Sequence, residues 1–143
     1  MKVIDILTKK GNNVETVSPN ASVLEVLKLM EAKNIGSIVV ADEQEGYKGI
    51  VTERDYSRKV ILKGKNSTDT LVSEIMSTDL PKLSPTDSID KCMEHMSQKH
   101  IRYLPVFNNG KLAGIISMSD VVTAKLKGQQ ETISHLEQYI SGS

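Results

Sequence analysis

Tryptophan is absent from this chain and phenylalanine occurs once, so any core it builds must come from Val, Ile, Leu and Met. Cysteine is equally scarce. The single Cys92 cannot close an internal disulfide, which suits a reducing compartment or simply an undemanding one. Neither sign of charge prevails, because eighteen Lys and Arg balance eighteen Asp and Glu. That balance argues against a protein that coats nucleic acid or an anionic membrane, while leaving room for a local anion site. Long apolar runs are missing too. None approaches the ~20 residues a membrane span requires, and Met1-Lys2-Val3-Ile4-Asp5 meets an acid too early for a signal peptide. The expected location is the cytoplasm. With 38% hydrophobic and 25% charged residues over 143 positions, the chain has the balance of a globular protein, one domain or two small halves.

What the chain does contain is an internal repeat. Ser18-Pro19 recurs 66 residues later as Ser84-Pro85, and the same shift carries Met30 onto Met96 and Ile35 onto Ile101. After each Ser-Pro pair, apolar residues follow one face of a helix: Val23, Val26, Leu27 and Met30, then Ile89, Cys92, Met93 and Met96. An extended run comes next in each copy, Ser37 to Ala41 and Tyr103 to Phe107. A turn and a second short strand lead into Gly49-Ile50-Val51-Thr52-Glu53-Arg54-Asp55 and Gly114-Ile115-Ile116-Ser117-Met118-Ser119-Asp120. The shift is 65 there, since the first turn is one residue longer. Thr52 and Ser117 are placed to cap the following helices, expected over 54–63 and 119–127, and an acid three residues on suits the macrodipole. Val3 to Leu7 and Val72 to Met76 read as lead-in turns of helix. The reading divides the chain into a first repeat with its lead-in (1–63), a linker (64–69), a second repeat with its lead-in (70–127) and an amphipathic tail helix (128–143). The tail stripe of Ile133, Leu136 and Ile140 is expected to dock on its own domain, with subunit contact as the alternative.

The duplicated order of Ser-Pro, helix, strand and Gly-x-x-Thr/Ser-x-x-Asp resembles the CBS domain, which occurs in tandem pairs. The resemblance implies an α/β (α+β) fold in which two β-α-β-β-α repeats, related by a pseudo-twofold axis, pack through their sheets. It implies a regulatory role, no catalysis, and an adenosyl ligand: AMP, ADP or ATP, with NAD(H) and S-adenosylmethionine as further candidates. Carried residue by residue onto this chain, a main cleft would use Thr52, Arg54, Asp55 and Arg58 with Thr78, Lys82, Arg102, Tyr103, Leu104 and Pro105. A second would use Ser117, Ser119 and Asp120 with Thr16, Gly36, Ser37 and Ile38.

Those residue types suit such a ligand. A carboxylate accepts both hydroxyls of a ribose, so Asp55 and Asp120 are candidate sugar ligands as well as plain helix N-terminal acids. Helix N-termini with a hydroxyl favour phosphate. Ile38, Tyr103 and Leu104 offer an apolar slot for a base. Arg54 and Arg58, four apart, share a helix face, whereas their counterparts Ser119 and Thr123 carry no charge. The Thr52–Asp55 cleft is therefore expected to prefer phosphorylated ligands and the Ser117–Asp120 cleft to be the poorer one. Arg58, Lys59 and Lys63 also fit a merely solvated face.

Cys92, His95 and His100 do not form a metal set. Cys92 takes the core slot of Val26, and no tetrahedral ligand spacing links the three. No phosphate loop, dinucleotide fingerprint or catalytic triad is present, so no catalytic residue is expected. Expected partners are a second copy of the chain and an unidentified regulated protein, with neither nucleic acid nor membrane as a main partner. The competing reading is an interaction module whose clefts are vestigial.

Overall fold

The computed structural model describes residues 1–11 and 13–141. The last two residues of the expected tail lie outside them. The chain is α+β, with two small sheets, and it divides into two compact units, residues 13–80 and residues 1–12 with 81–143.

The unit of residues 13–80 holds β1 (Thr16–Val17), α2 (Val23–Lys33), β2 (Ser37–Asp42) and β3 (Gly46–Thr52). Ser22 caps α2 by accepting the Glu25 N–H at 3.1 Å, and Asn34 ends it in the left-handed conformation at φ 53°. β1 runs parallel to β2, and β2 pairs antiparallel with β3 in the order β1-β2-β3. A short helix, α3 (Glu53–Tyr56), runs on into a π turn over Ser57–Ile61. A 3₁₀ turn over Val72–Glu74 completes the unit. The core is aliphatic, as the composition requires, and gathers Val26, Met30, Ile38, Val40, Val51, Val60, Val72 and Ile75.

The other unit repeats this plan. It holds α1 (Val3–Lys10), α4 (Ile89–Lys99), β4 (Tyr103–Asn108), β5 (Lys111–Ser117) and α5 (Met118–Ser141). Ser88 caps α4 as Ser22 caps α2, and His100 ends it at φ 54°, the counterpart of Asn34. The parallel bridge Leu83–Val106 stands where Val17 pairs with Val40, 66 residues earlier. Both sheets bulge at one place, between Val40 and Ala41 and between Val106 and Phe107. Val3, Ile6, Leu7, Leu83, Cys92, Met96, Leu104 and Ile116 form its core.

These units do not follow the repeat boundaries of the sequence. The lead-in of each copy packs in the unit of the other. The Val3 and Ile4 N–H groups donate to the Asp87 and Pro85 carbonyls. Val72 and Ser73 donate to Ala21 and Pro19, the positions 66 residues earlier. The glycine that opens each Gly-x-x-Thr/Ser-x-x-Asp segment has a steric cause. A Cβ on Gly49 would lie 2.5 Å from the Ser77 carbonyl oxygen and 3.2 Å from Met76 Sδ, and one on Gly114 would lie 2.7 Å from Leu7 Cδ2. Each glycine leaves room for the exchanged lead-in.

The tail departs from expectation as well. One helix runs unbroken from Met118 to Ser141, through Gly128. Val121 and Ala124 are buried, while Ile133, Leu136 and Ile140 stay exposed instead of docking on the domain. Among the described residues, no helix is long and apolar enough to cross a membrane.

Candidate functional site

Each Thr/Ser-x-x-Asp segment sits at a junction where a strand turns into a helix. Ser37 pairs with Thr52 across β2 and β3, and Tyr103 pairs with Ser117 across β4 and β5. The Gly36 carbonyl accepts the Glu53 N–H, and the Arg102 carbonyl accepts the Met118 N–H in the same role. The junctions are thereby built alike from residues far apart in each repeat.

At the first junction Asp55 and Thr52 cap each other. The Thr52 N–H donates to Asp55 Oδ2 at 2.9 Å and its hydroxyl to the same oxygen at 3.1 Å. The Asp55 N–H returns a bond to Thr52 Oγ1. The other oxygen, Oδ1, lies 3.0 Å from Lys59 Nζ, which also donates to the Ile75 carbonyl. Lys59 is thus a half-buried structural partner of the motif and not a solvated residue, in contrast to Arg58, which is exposed.

The second junction has the same reciprocal cap. The Ser117 N–H donates to Asp120 Oδ2 at 2.9 Å, and the Asp120 N–H donates to Ser117 Oγ at 3.0 Å. Its lysine comes from elsewhere in the chain. Lys10, in the last turn of α1, donates to Asp120 Oδ2 at 2.8 Å and to the Ile115 carbonyl at 3.0 Å. Burial raises the Asp120 pKa, but the bonds from Lys10 and Ser117 outweigh it and leave the carboxyl below its ordinary value. No pattern in the sequence marks Lys10 as a partner, because 110 residues separate it from Asp120. Lys59, four residues from Asp55 on one helix, was within reach of spacing arguments.

The two carboxylates are therefore not equally accessible. Both oxygens of Asp55 are engaged and its side chain is 12% exposed. Asp120 is 23% exposed, and its bonds from Lys10 and the Ser117 backbone N–H fall on Oδ2.

The remaining candidate residues divide between the units. Thr16, Gly36, Ser37, Ile38, Thr52, Arg54, Asp55, Arg58 and Thr78 lie in residues 13–80. Lys82, Arg102, Tyr103, Leu104, Pro105, Ser117, Ser119 and Asp120 lie in the other unit. Ile38 and Leu104 are buried in their aliphatic cores, so their side chains are committed to packing. Lys82 Nζ sits 4.7 Å above the Phe107 ring. Thr78 and Arg102 are exposed, and Tyr103 is half-buried. Cys92 is buried in the core of its unit, where desolvation pushes its thiol up to about 11. Among the described residues no group of three or more His, Cys, Asp or Glu comes together.

Comparisons with known proteins agree with the duplicated architecture. The chain is 32% identical to CBS domain-containing protein CBSX3, mitochondrial, of Arabidopsis thaliana, over 98% of this chain and 72% of that protein. A solved structure from Burkholderia ambifaria, a protein with CBS domains to which a signal-transduction role is attributed, shares 40% identity and superposes with a TM-score of 0.85. The match covers 90% of this chain and 96% of that one. A hexameric CBS-CP12 protein from bloom-forming cyanobacteria matches at 32% identity and a TM-score of 0.74, over 85% of this chain and 69% of that one. The CBS domain family model matches twice, at residues 3–61 and 72–127, and with both repeats so covered the chain belongs to the CBS-domain family as a tandem pair.

Proposed function

We propose that this CBS pair is a regulatory module of the cytoplasm that binds an adenine nucleotide and passes its occupancy to a partner protein. AMP, ADP and ATP are the first candidates, followed by NAD(H) and S-adenosylmethionine. One observation carries the reading. The same constellation occurs twice: an aspartate tied to a backbone N–H at a strand–helix junction, with a lysine held 3.0 Å away at Asp55 and 2.8 Å away at Asp120. Capping requires only the hydroxyl and the carboxylate. A carboxylate held in place by these bonds also suits a nucleotide, whose ribose diol it can accept. Thr52, Arg54 and Asp55 at one junction, and Ser117, Ser119 and Asp120 at the other, are the proposed ligand-facing residues. Binding changes the balance between conformations only through its differential affinity for them.

Thermal unfolding in the presence of AMP, ADP, ATP, NAD(H) and S-adenosylmethionine tests this. A ligand at 100 times its Kd stabilises the fold by about 2.7 kcal/mol, a rise of several degrees in a chain of this size. No shift with any of the five, at millimolar concentration, overturns the proposal.

A second reading, assembly without ligand, is favoured by the outer face of α5. Val122, Leu126, Ile133, Leu136 and Ile140 are all between 44% and 76% exposed. With Gln129 they alternate at four and three residues, the 3.5-residue period of a two-stranded seam. Sedimentation of the Ile133→Lys/Leu136→Lys variant separates the readings. Loss of self-association with nucleotide binding intact leaves the first reading standing. Self-association in a chain that binds no nucleotide favours the second.

A further inference from the structure

The second junction is expected from sequence to be poor in positive charge, because Ser119 and Thr123 replace the two arginines. α1 reverses that. A cavity of about 420 Å³ lies beside Asp120, and its lining includes Lys9, Lys10, Asp5, Thr123 and Lys127. Its volume is within the range of small-molecule sites.

The charges around it are unevenly satisfied. Lys10 is committed to Asp120 and to the Ile115 carbonyl. Asp5 accepts the Lys2 backbone N–H at 2.8 Å. Lys9 and Lys127 stand side by side, one from α1 and one from α5, and the Lys127 ammonium lowers the Lys9 pKa against the weaker opposing pull of Glu131 and Asp5. Two like charges brought together by separate elements repel, and an anion between them relieves the repulsion. Asp120 contributes the complementary group. The bonds from Lys10 and from the Ser117 backbone N–H both fall on Oδ2.

We propose that this cavity holds the phosphate of a phosphorylated nucleoside, with Lys9 and Lys127 on the phosphate and Asp120 Oδ1 on the sugar diol. The sugar half of the proposal rests on the nucleotide reading above; the phosphate half does not. The Ser117–Asp120 junction then prefers charged ligands, drawing its cations from a helix that precedes the repeat and not from residues 119 and 123.

Calorimetric titration of AMP, adenosine and pyrophosphate into the wild type and a Lys9→Gln/Lys127→Gln variant tests it. Both lysines are exposed, so the variant is expected to fold normally. The proposal expects AMP affinity to fall about tenfold or more, the effect of one lost charge contact of ordinary strength, or one of two AMP sites to vanish. Adenosine should bind both proteins within twofold, and pyrophosphate should bind only the wild type. AMP binding unchanged in the variant overturns the pocket and leaves the nucleotide reading intact. Pyrophosphate binding that depends on the lysines, with no binding of AMP or adenosine, leaves the phosphate pocket standing and overturns the nucleotide reading. Failure of all three compounds to bind the wild type overturns both.

Discussion

Asp120 does two jobs at one atom, capping α5 and neutralising Lys10, and the two should separate with pH. Its folded pKa lies below the ordinary carboxyl value of about 3.9. Its contribution is therefore complete above that value and is lost as pH falls through the lower, folded one. Asp120→Asn keeps a capping oxygen but loses the charge, so it should destabilise the chain by about 1 kcal/mol at pH 7, the pair being partly exposed. Urea unfolding at pH 7, 5 and 3 checks this. The gap between variant and wild type should hold from pH 7 to 5 and shrink at pH 3; a constant gap counts against the assignment. Cys92 gives a second residue-scale outcome. With its thiol at about 11 and its side chain in the core, it should resist a disulfide-exchange reagent at pH 8 until the protein is unfolded. Rapid labelling of the native chain would contradict the buried placement.

Among the elements, glycines divide by what surrounds them. Gly49 in β3 faces backbone that cannot yield, so Gly49→Ala should cost on the order of 1–3 kcal/mol through forced displacement. Gly128 lies inside α5 with nothing within 4 Å of an added Cβ, and Gly128→Ala should stabilise by about 0.5–1 kcal/mol through helix propensity. Denaturant midpoints read both signs, and a stabilising Gly49→Ala would sink the account of the exchanged lead-in. α3 and α5 show how far local pattern reaches. Both begin where a Thr or Ser followed by an acid indicates, yet only α3 gives way to a π turn, over Ser57–Ile61. Nothing in the sequence of 57–61 distinguishes that turn from an ordinary helical one.

On the scale of the whole molecule, the exchanged lead-ins make residues 1–10 part of the unit built from 81–143. Val3, Ile6 and Leu7 are buried in that unit's core and Lys10 bonds its second junction. Deleting residues 1–10 should strip amide-exchange protection from α4, β4 and β5 while leaving β2 and β3 largely protected, the reverse of what the linear repeat would suggest. Equal loss in both sheets, or loss confined to β2 and β3, would refute the exchange.

The amino-acid order alone was enough for the duplication, the main helices and strands of each copy, the caps at Thr52 and Ser117, and the aliphatic core. Those depend on residues within a turn or a strand of one another, where 3.6- and 2-residue periods and capping chemistry act. Folding in three dimensions decided the rest: which lead-in joins which unit, why Gly49 and Gly114 are glycine, that α5 runs on past Gly128 with its apolar face exposed, and that Lys10 supplies the charge missing beside Asp120. Each of these is a contact or a vacancy between segments tens of residues apart. Chain order constrains such pairings only weakly, because loop closure costs little more for a long loop than for a short one, and so packing selects them.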